Sequence, residues 1–140
     1  MSDPRSPTGA IGGYVPMIDG PEKVTGAAKF TADFLAPATL CGRIFRSPSS
    51  HAEIIDLDVS EARRLPGVAA VITGEDCDQP FGVLPIAMNE FPLARQRLRY
   101  RGEPVAAVAA VDDATAEKAL GLIKLKLREL PAYYTTEAAR

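Results

Sequence analysis

A chain of 140 residues, 46% apolar and 24% charged, is long enough for one domain with a core of its own and has ordinary globular composition. Its net charge of −2, with both signs interspersed, argues against the concentrated basic face that nucleic acid requires. Two cysteines without CxxC spacing and a single histidine are too few for an iron–sulfur cluster or a structural zinc, and no apolar run approaches the roughly 20 residues of a membrane span.

Residues 1–13 are rich in glycine, proline and small polar residues and are expected to form a flexible arm. They lack the apolar segment of a secretory leader. Together with two reduced thiols, Cys41 and Cys77, this predicts a soluble cytoplasmic chain. Turn chemistry comes next at Asp19-Gly20-Pro21 and Thr25-Gly26, with short extended pieces expected over 26–31. A strand is predicted over Leu40–Arg46, stopped by Ser47-Pro48. Ile55, Leu57 and Val59 alternate with Asp56 and Asp58, the period of a half-buried strand. Ser60 is placed as N-cap of a short helix that Pro66-Gly67 ends, and Val68–Thr73 as an inner strand.

Residues 74–97 are the least regular part. A helical turn at Gly74-Glu75-Asp76 precedes a proline-punctuated loop carrying Phe81, Leu84, Ile86, Met88 and Phe91. Keeping such residues wet forgoes roughly 1.5–3 kcal/mol each, so the loop either folds back or awaits a partner. Leu98–Arg101 is expected as a short strand leading into Val105–Val111, seven residues of valine and alanine only. That run reads as a central strand buried on both faces. Asp112-Asp113 is suited to cap a helix over 114–122, with Ala116, Ala119, Leu120 and Ile123 on its inner face. Ile123, Leu125 and Leu127 then alternate with Lys124, Lys126 and Arg128, marking a final strand. The fold class predicted is α+β: a mixed sheet with two strand–helix–strand units and helices on one side. Residues 14–131 form the domain and 132–140 a tail.

Candidate chemistry is sparse. His51 has Ser47, Ser49 and Ser50 nearby in sequence but no GxSxG elbow, and it reads as a structural histidine between strands. Gly9, Gly12 and Gly13 do not form a dinucleotide fingerprint, and Lys23–Gly26 lacks the end of a phosphate loop. Glu75, Asp76 and Asp78 lack the remaining ligands of a calcium loop. Asn89 follows Ala87-Met88 where a biotin carrier would need lysine. Arg43, Arg46, Arg99 and Arg101 could reach phosphate but read as solvent-facing guards of strand edges.

Several of these stretches occur together in a recognisable order. Asp19-Gly20, Lys23–Gly26, Lys29–Asp33, Arg46–Pro48, His51-Ala52, Leu65–Val68, Tyr100–Ala106 and Leu130-Pro131 resemble the opening of molybdenum hydroxylase large subunits, the xanthine dehydrogenase, aldehyde oxidase and carbon monoxide dehydrogenase relatives. The resemblance implies an α/β hammerhead fold. Residues 80–110 further resemble the α subunit of 4-hydroxybenzoyl-CoA reductase. In such enzymes a molybdopterin cofactor, iron–sulfur clusters and FAD serve the chemistry, and the cofactor contacts and catalytic glutamate lie in later domains. No catalytic, cofactor-binding or metal-ligating residue is therefore carried over to this chain. The implied partners are the remaining molybdenum-binding domains and the iron–sulfur and flavin subunits, with neither nucleic acid nor membrane. The usual pattern has His-Ala at Ser49-Ser50, arginine at Glu53, and acidic residues with tyrosine where Lys124–Arg128 stands here. These departures fall on expected surface positions and point to an alternative, an orphan hammerhead kept for protein interaction or assembly.

Overall fold

The computed structural model describes residues 16–34, 36–84, 86 and 88–140. In chain order the elements are α1 (Gly20–Thr25), β1 (Cys41–Arg46), β2 (Ala52–Asp58), α2 (Ser60–Arg64), β3 (Val68–Thr73), β4 (Arg97–Leu98), β5 (Pro104–Ala110), α3 (Asp113–Leu120) and β6 (Lys124–Glu129), with 3₁₀ turns at Thr31–Asp33 and Gly74–Asp76. They fall into two units, divided after Pro37. The expected arm over 1–13 lies outside the described residues.

In the first unit, the predicted reversal at Asp19-Gly20-Pro21 is the start of α1, where proline's missing N–H costs no helical hydrogen bond. Lys23 pairs with Asp19 one turn away at 2.6 Å. Gly26 closes the helix in the left-handed region, its N–H turned back on Glu22 and Lys23 carbonyls. No residue of α1 is buried.

The second unit is organised on β5, which lies between β1 and β3, while β2 lies between β4 and β6. All four strand pairings are antiparallel. The α+β class holds, but the single mixed sheet expected from the sequence is replaced by two three-stranded antiparallel sheets. The reason lies in the strand–helix–strand units. Each hands the chain from one sheet to the other: β2–α2–β3 and β5–α3–β6 both cross between sheets. The connection from Val59 to Gly67 is also shorter than the dozen or so residues a parallel crossover needs.

Both helices of this unit sit on one face of the β1–β5–β3 sheet. Ala106, Val108 and Ala110 of β5 join Ala62 of α2, Ala116 and Ala119 of α3, Val71 and Ile123 in the main core. A second cluster joins Ala52, Ala94, Leu98 and Val105, and Phe45 and Leu57 pack against both. Asp112 caps α3 as its position predicted, accepting from the Thr115 N–H at 2.7 Å. Ser60 is not the cap of α2. It is the first helical residue, and its N–H donates to Asp58 Oδ1 at 2.8 Å.

Three burial expectations are corrected. The valine–alanine run is not dry on both faces along its whole length: Val105 is fully buried, but Ala107 and Ala109 are half-buried, and Val111 lies past the strand and is 60% exposed. Val68–Thr73 is an edge strand rather than an inner one, because its far side pairs with nothing among the described residues. In β2 the register slips between Ile54 and Asp56, so Ile55 turns outward and is 48% exposed while Leu57 packs inward. Period two survives only where no residue is inserted.

Two glycines hold close approaches. Gly67, at φ +91°, ends the α2–β3 turn where a Cβ would come within 3.0 Å of Val111 Cγ2. At Gly74 a Cβ would lie 2.6 Å from the Ala94 carbonyl oxygen, so the end of β3 and the segment before β4 pack backbone to backbone. Both ends of the long loop are thereby tied down, with Leu93 and Ala94 buried and the Ala94 N–H donating to the Pro104 carbonyl at 2.8 Å.

The two faces of β5 separate in a mutational test. Ala106→Asp buries an unpaired charge under the helices, which costs several kcal/mol against a typical total of about 5–15, and abolishes cooperative thermal unfolding. Ala109→Asp, on the half-open face, retains a cooperative transition at lower temperature. Equal melts for both variants would contradict this placement.

Candidate functional site

The residues singled out for chemistry are largely consumed by the fold. His51 follows the β1–β2 connection, and its Nδ1 lies 2.6 Å from the Pro131 carbonyl. Because a carbonyl only accepts, Nδ1 carries the proton. The His51 carbonyl in turn accepts from the Leu130 N–H at 3.0 Å, so this residue fastens the C-terminal segment to the start of β2. Ser47 and Ser49 are buried in the same turn. Ser47 Oγ donates to the Ser49 carbonyl at 2.7 Å, and Ser49 Oγ donates to Glu129 at 2.6 Å. Neither serine is left facing the histidine as a nucleophile.

The acidic trio is likewise structural. Asp76 accepts from the Thr73 N–H at 2.8 Å and hydroxyl at 3.2 Å, which holds its carboxyl below the usual carboxylate range. Glu75 pairs with Arg95 at 3.2 Å, and Asp78 accepts from Gln79 at 3.1 Å. Cys41 and Cys77 are half-buried and unpaired. Among the described residues, no group of three or more His, Cys, Asp or Glu side chains converges to hold a metal ion. No helix among the described residues is long and apolar enough to cross a membrane.

The four singled-out arginines divide into two pairs. Arg43 grips Asp113 through both prongs of its guanidinium, at 2.7 and 2.6 Å, with Glu117 at 3.9 Å, and so fastens α3 to β1. The same contact depresses the Asp113 carboxyl. Arg46 donates to the Gly102 carbonyl at 2.9 Å. Arg99 and Arg101 are exposed, and neither guanidinium forms an ion pair among the described residues. A cavity of about 580 Å³ adjoins Arg99, with Glu53, Phe91, Arg95, Arg97 and Glu103 also on its walls. Arg95 stacks over the Phe91 ring at 5.5 Å, and its Nε is buried without a partner. Acids and bases alternate around this cavity, so its charge is largely compensated.

The feature that stands apart is apolar. Phe81 and Glu90 close the long loop by a reciprocal backbone bridge of 2.8 and 3.0 Å. Beyond it Val83 and Ile86 are 91% and 93% exposed, and Leu84 and Met88 more than half exposed. Ile44, Ala107 and Ile72 stand side by side on the helix-free face of the first sheet, with both isoleucines exposed. In the separate first unit, Ile18, Val24, Phe30 and Phe34 are also exposed. The sequence marks the loop residues as costly to leave wet, but the face around Ile44 is hidden within runs expected to be buried.

The departures at Glu53 and Lys124–Arg128 meet across β2 and β6. Glu53 is in register with Arg128, and the two side chains are ion-paired; Asp56 is in register with Lys126, and Asp58 with Lys124. Arg97 reaches Glu53 at 4.0 Å from the other side, and Lys124 pairs with Glu61. The altered charges therefore complement one another inside the domain.

Comparison with known proteins places this arrangement. The family described as aldehyde oxidase and xanthine dehydrogenase, a/b hammerhead domain, matches residues 25–131. The xanthine dehydrogenase molybdenum-binding subunit of Escherichia coli O157:H7 is 36% identical over 132 residues, spanning 87% of this chain and 18% of the relative. The nicotinate dehydrogenase large molybdopterin subunit of Eubacterium barkeri is 38% identical over 127 residues, 87% of this chain and 29% of the relative. Among solved structures, quinoline 2-oxidoreductase from Pseudomonas putida 86 superposes with a TM-score of 0.81 at 34% identity, covering 89% of this chain and 17% of that one. The aldehyde oxidoreductase of Desulfovibrio gigas gives 0.80 at 31%, covering 89% and 15%. The chain thus spans less than a third of any of these relatives.

The charged contacts can be tested in two ways. Glu53→Arg sets three like charges together and lowers stability by about 0.5–1 kcal/mol in denaturant titration, and adding Arg128→Glu restores most of it. A double variant no more stable than the single one would show that the pair is not coupled. Asp58, Asp76, Asp112 and Asp113 all have carboxyl groups depressed by hydrogen bonds from Ser60, Thr73, Thr115 and Arg43 respectively. The unfolded chain then binds more protons than the folded one as pH falls below about 4. Their contribution is complete above that range and is lost through it, so the melting temperature scanned from pH 8 downward falls steeply only at its acid end.

Proposed function

The chain belongs to the aldehyde oxidase and xanthine dehydrogenase a/b hammerhead family, and on that premise we propose that it is the N-terminal structural and docking domain of a molybdenum-cofactor oxidoreductase. The observation that carries this reading is the bridged loop with Val83, Leu84, Ile86 and Met88 turned to solvent while both its ends are fixed in the core. A cluster of that kind marks an interaction surface. In these relatives the matched segment is only 15–29% of the chain, so most of the polypeptide lies outside it.

The chain's role in this reading is to seat the cofactor-bearing domains. The hammerhead spans 14–131, with residues 1–13 as an arm and 132–140 as a C-terminal tail. Molybdopterin supplies the redox chemistry of the parent enzyme, with iron–sulfur clusters and FAD in companion subunits, and none of these is held by this chain. Two unpaired thiols agree with a cytoplasmic enzyme. Within the family we place the parent enzyme beside 4-hydroxybenzoyl-CoA reductase, on the likeness of residues 80–110.

Metal analysis and capture test this together. The purified chain carries no molybdenum, whereas the tagged chain recovered from its native cells brings a molybdenum-containing polypeptide with it. Val83→Asp with Ile86→Asp removes that capture and leaves the melt of the isolated chain unchanged, since neither side chain is buried here. Stoichiometric molybdenum on the isolated chain, or capture indifferent to the loop substitutions, would overturn the proposal.

A further inference from the structure

A second surface differs from the apolar loop in chemistry. A cleft of about 520 Å³ opens between the turn after β4 and the C-terminal segment, lined by Arg97, Arg99, Arg101, Tyr100, Tyr133 and Tyr134 with no acidic side chain. That is unexpected in a chain with more acidic than basic residues. The wall carrying Tyr133 and Tyr134 is held in place by the paired bonds between His51 and residues 130–131. Arg99 and Arg101 have no ion-pair partner among the described residues, and Arg97 is held only at 4.0 Å by Glu53. The three tyrosines are more than half exposed.

We propose that this cleft docks a carboxylate-rich polypeptide segment of a partner protein. Guanidinium groups take carboxylates through two parallel hydrogen bonds, and arginine and tyrosine are among the residue types that dominate binding energy at protein interfaces. The openness of the surface favours a segment lying across it. A small-molecule site would enclose most of its ligand, whereas this cleft is open and presents three guanidinium groups along it. The surface is chemically distinct from the Val83–Ile86 loop, so it can engage a partner that the loop does not.

The test uses the full 140-residue chain and a fluorescein-labelled hexaglutamate peptide, with hexaserine as blank. Saturable binding of hexaglutamate is expected at low salt, weakening as NaCl rises from ~50 to ~300 mM. Arg99→Glu with Arg101→Glu lowers the affinity by about tenfold or more, whereas Lys118→Glu with Lys126→Glu, the same change in net charge, alters it by less than about twofold. Arg99→Gln with Arg101→Gln gives the intermediate loss and covers the case in which the glutamates impair folding. Absence of saturable binding, or equal loss in the matched lysine pair, would overturn the proposal. So would displacement of the peptide by inorganic phosphate at comparable concentration, which would make this a small-anion site. A dimer of the chain that the arginine substitutions dissociate would also overturn it, since the occupant would then be a second copy.

Discussion

The structure depends on how closely α3 can lie on β5 and β1, and α2 on β3 and α3. Ala106, Ala110, Ala116, Ala119 and Ala62 are all fully buried, and none has a side chain longer than a methyl group. Small residues on both sides bring helix and strand backbones together, and a larger group at any of them would force the layers apart. Around that contact the chain places the fastenings that fix its angle: Asp112 caps α3, and Arg43 joins Asp113 to β1. Gly67 lets the preceding turn tuck under Val111.

This economy leaves the other side of the first sheet thinly covered. With both helices on one face, Ile44 and Ile72 on the other stay 42% exposed beside the half-buried Ala107, and the long loop folds only its ends into the core. A self-sufficient domain of this size ordinarily hides such residues, and a domain that forms one wall of a larger subunit has no need to. The exposure and the kinship with much longer molybdenum enzymes therefore agree. The charged departures on β2 and β6 bear on the same question. Glu53 against Arg128, and Lys124 against Glu61, neutralise one another within the domain, so they no longer argue for a chain estranged from its relatives.

Much of the element order was legible because local rules act over a few residues. The strand after Gly102-Glu103, the carboxylate cap at Asp112, the change of period near Gly121 and the turn at Pro66-Gly67 all appear where their residues placed them. Errors arose where one inserted residue or one neighbour decides the outcome. The slip in β2 turned Ile55 outward, and the alanines at 107 and 109 looked as buried as those at 106 and 110. A run of valine and alanine carries no polar residue to say which face lies under a helix. The singled-out His51, Ser47 and Ser49 could be recognised as structural by their lack of catalytic company. Distant contacts stayed hidden: His51 meets Pro131 and Ser49 meets Glu129, each pair 80 residues apart in the chain.

From the amino-acid order alone came the helix and strand segments after residue 40 in outline, the α+β class, the family likeness and the lack of any local catalytic motif, because each rests on residues adjacent or nearly so in the chain. Tertiary structure alone decided that there are two antiparallel sheets, that one face of the central strand stays open, and that three arginines and three tyrosines from distant segments line one cleft. Those outcomes are set by which strands pair and which side the helices cover. Pairing joins residues far apart in sequence, and no local pattern encodes it.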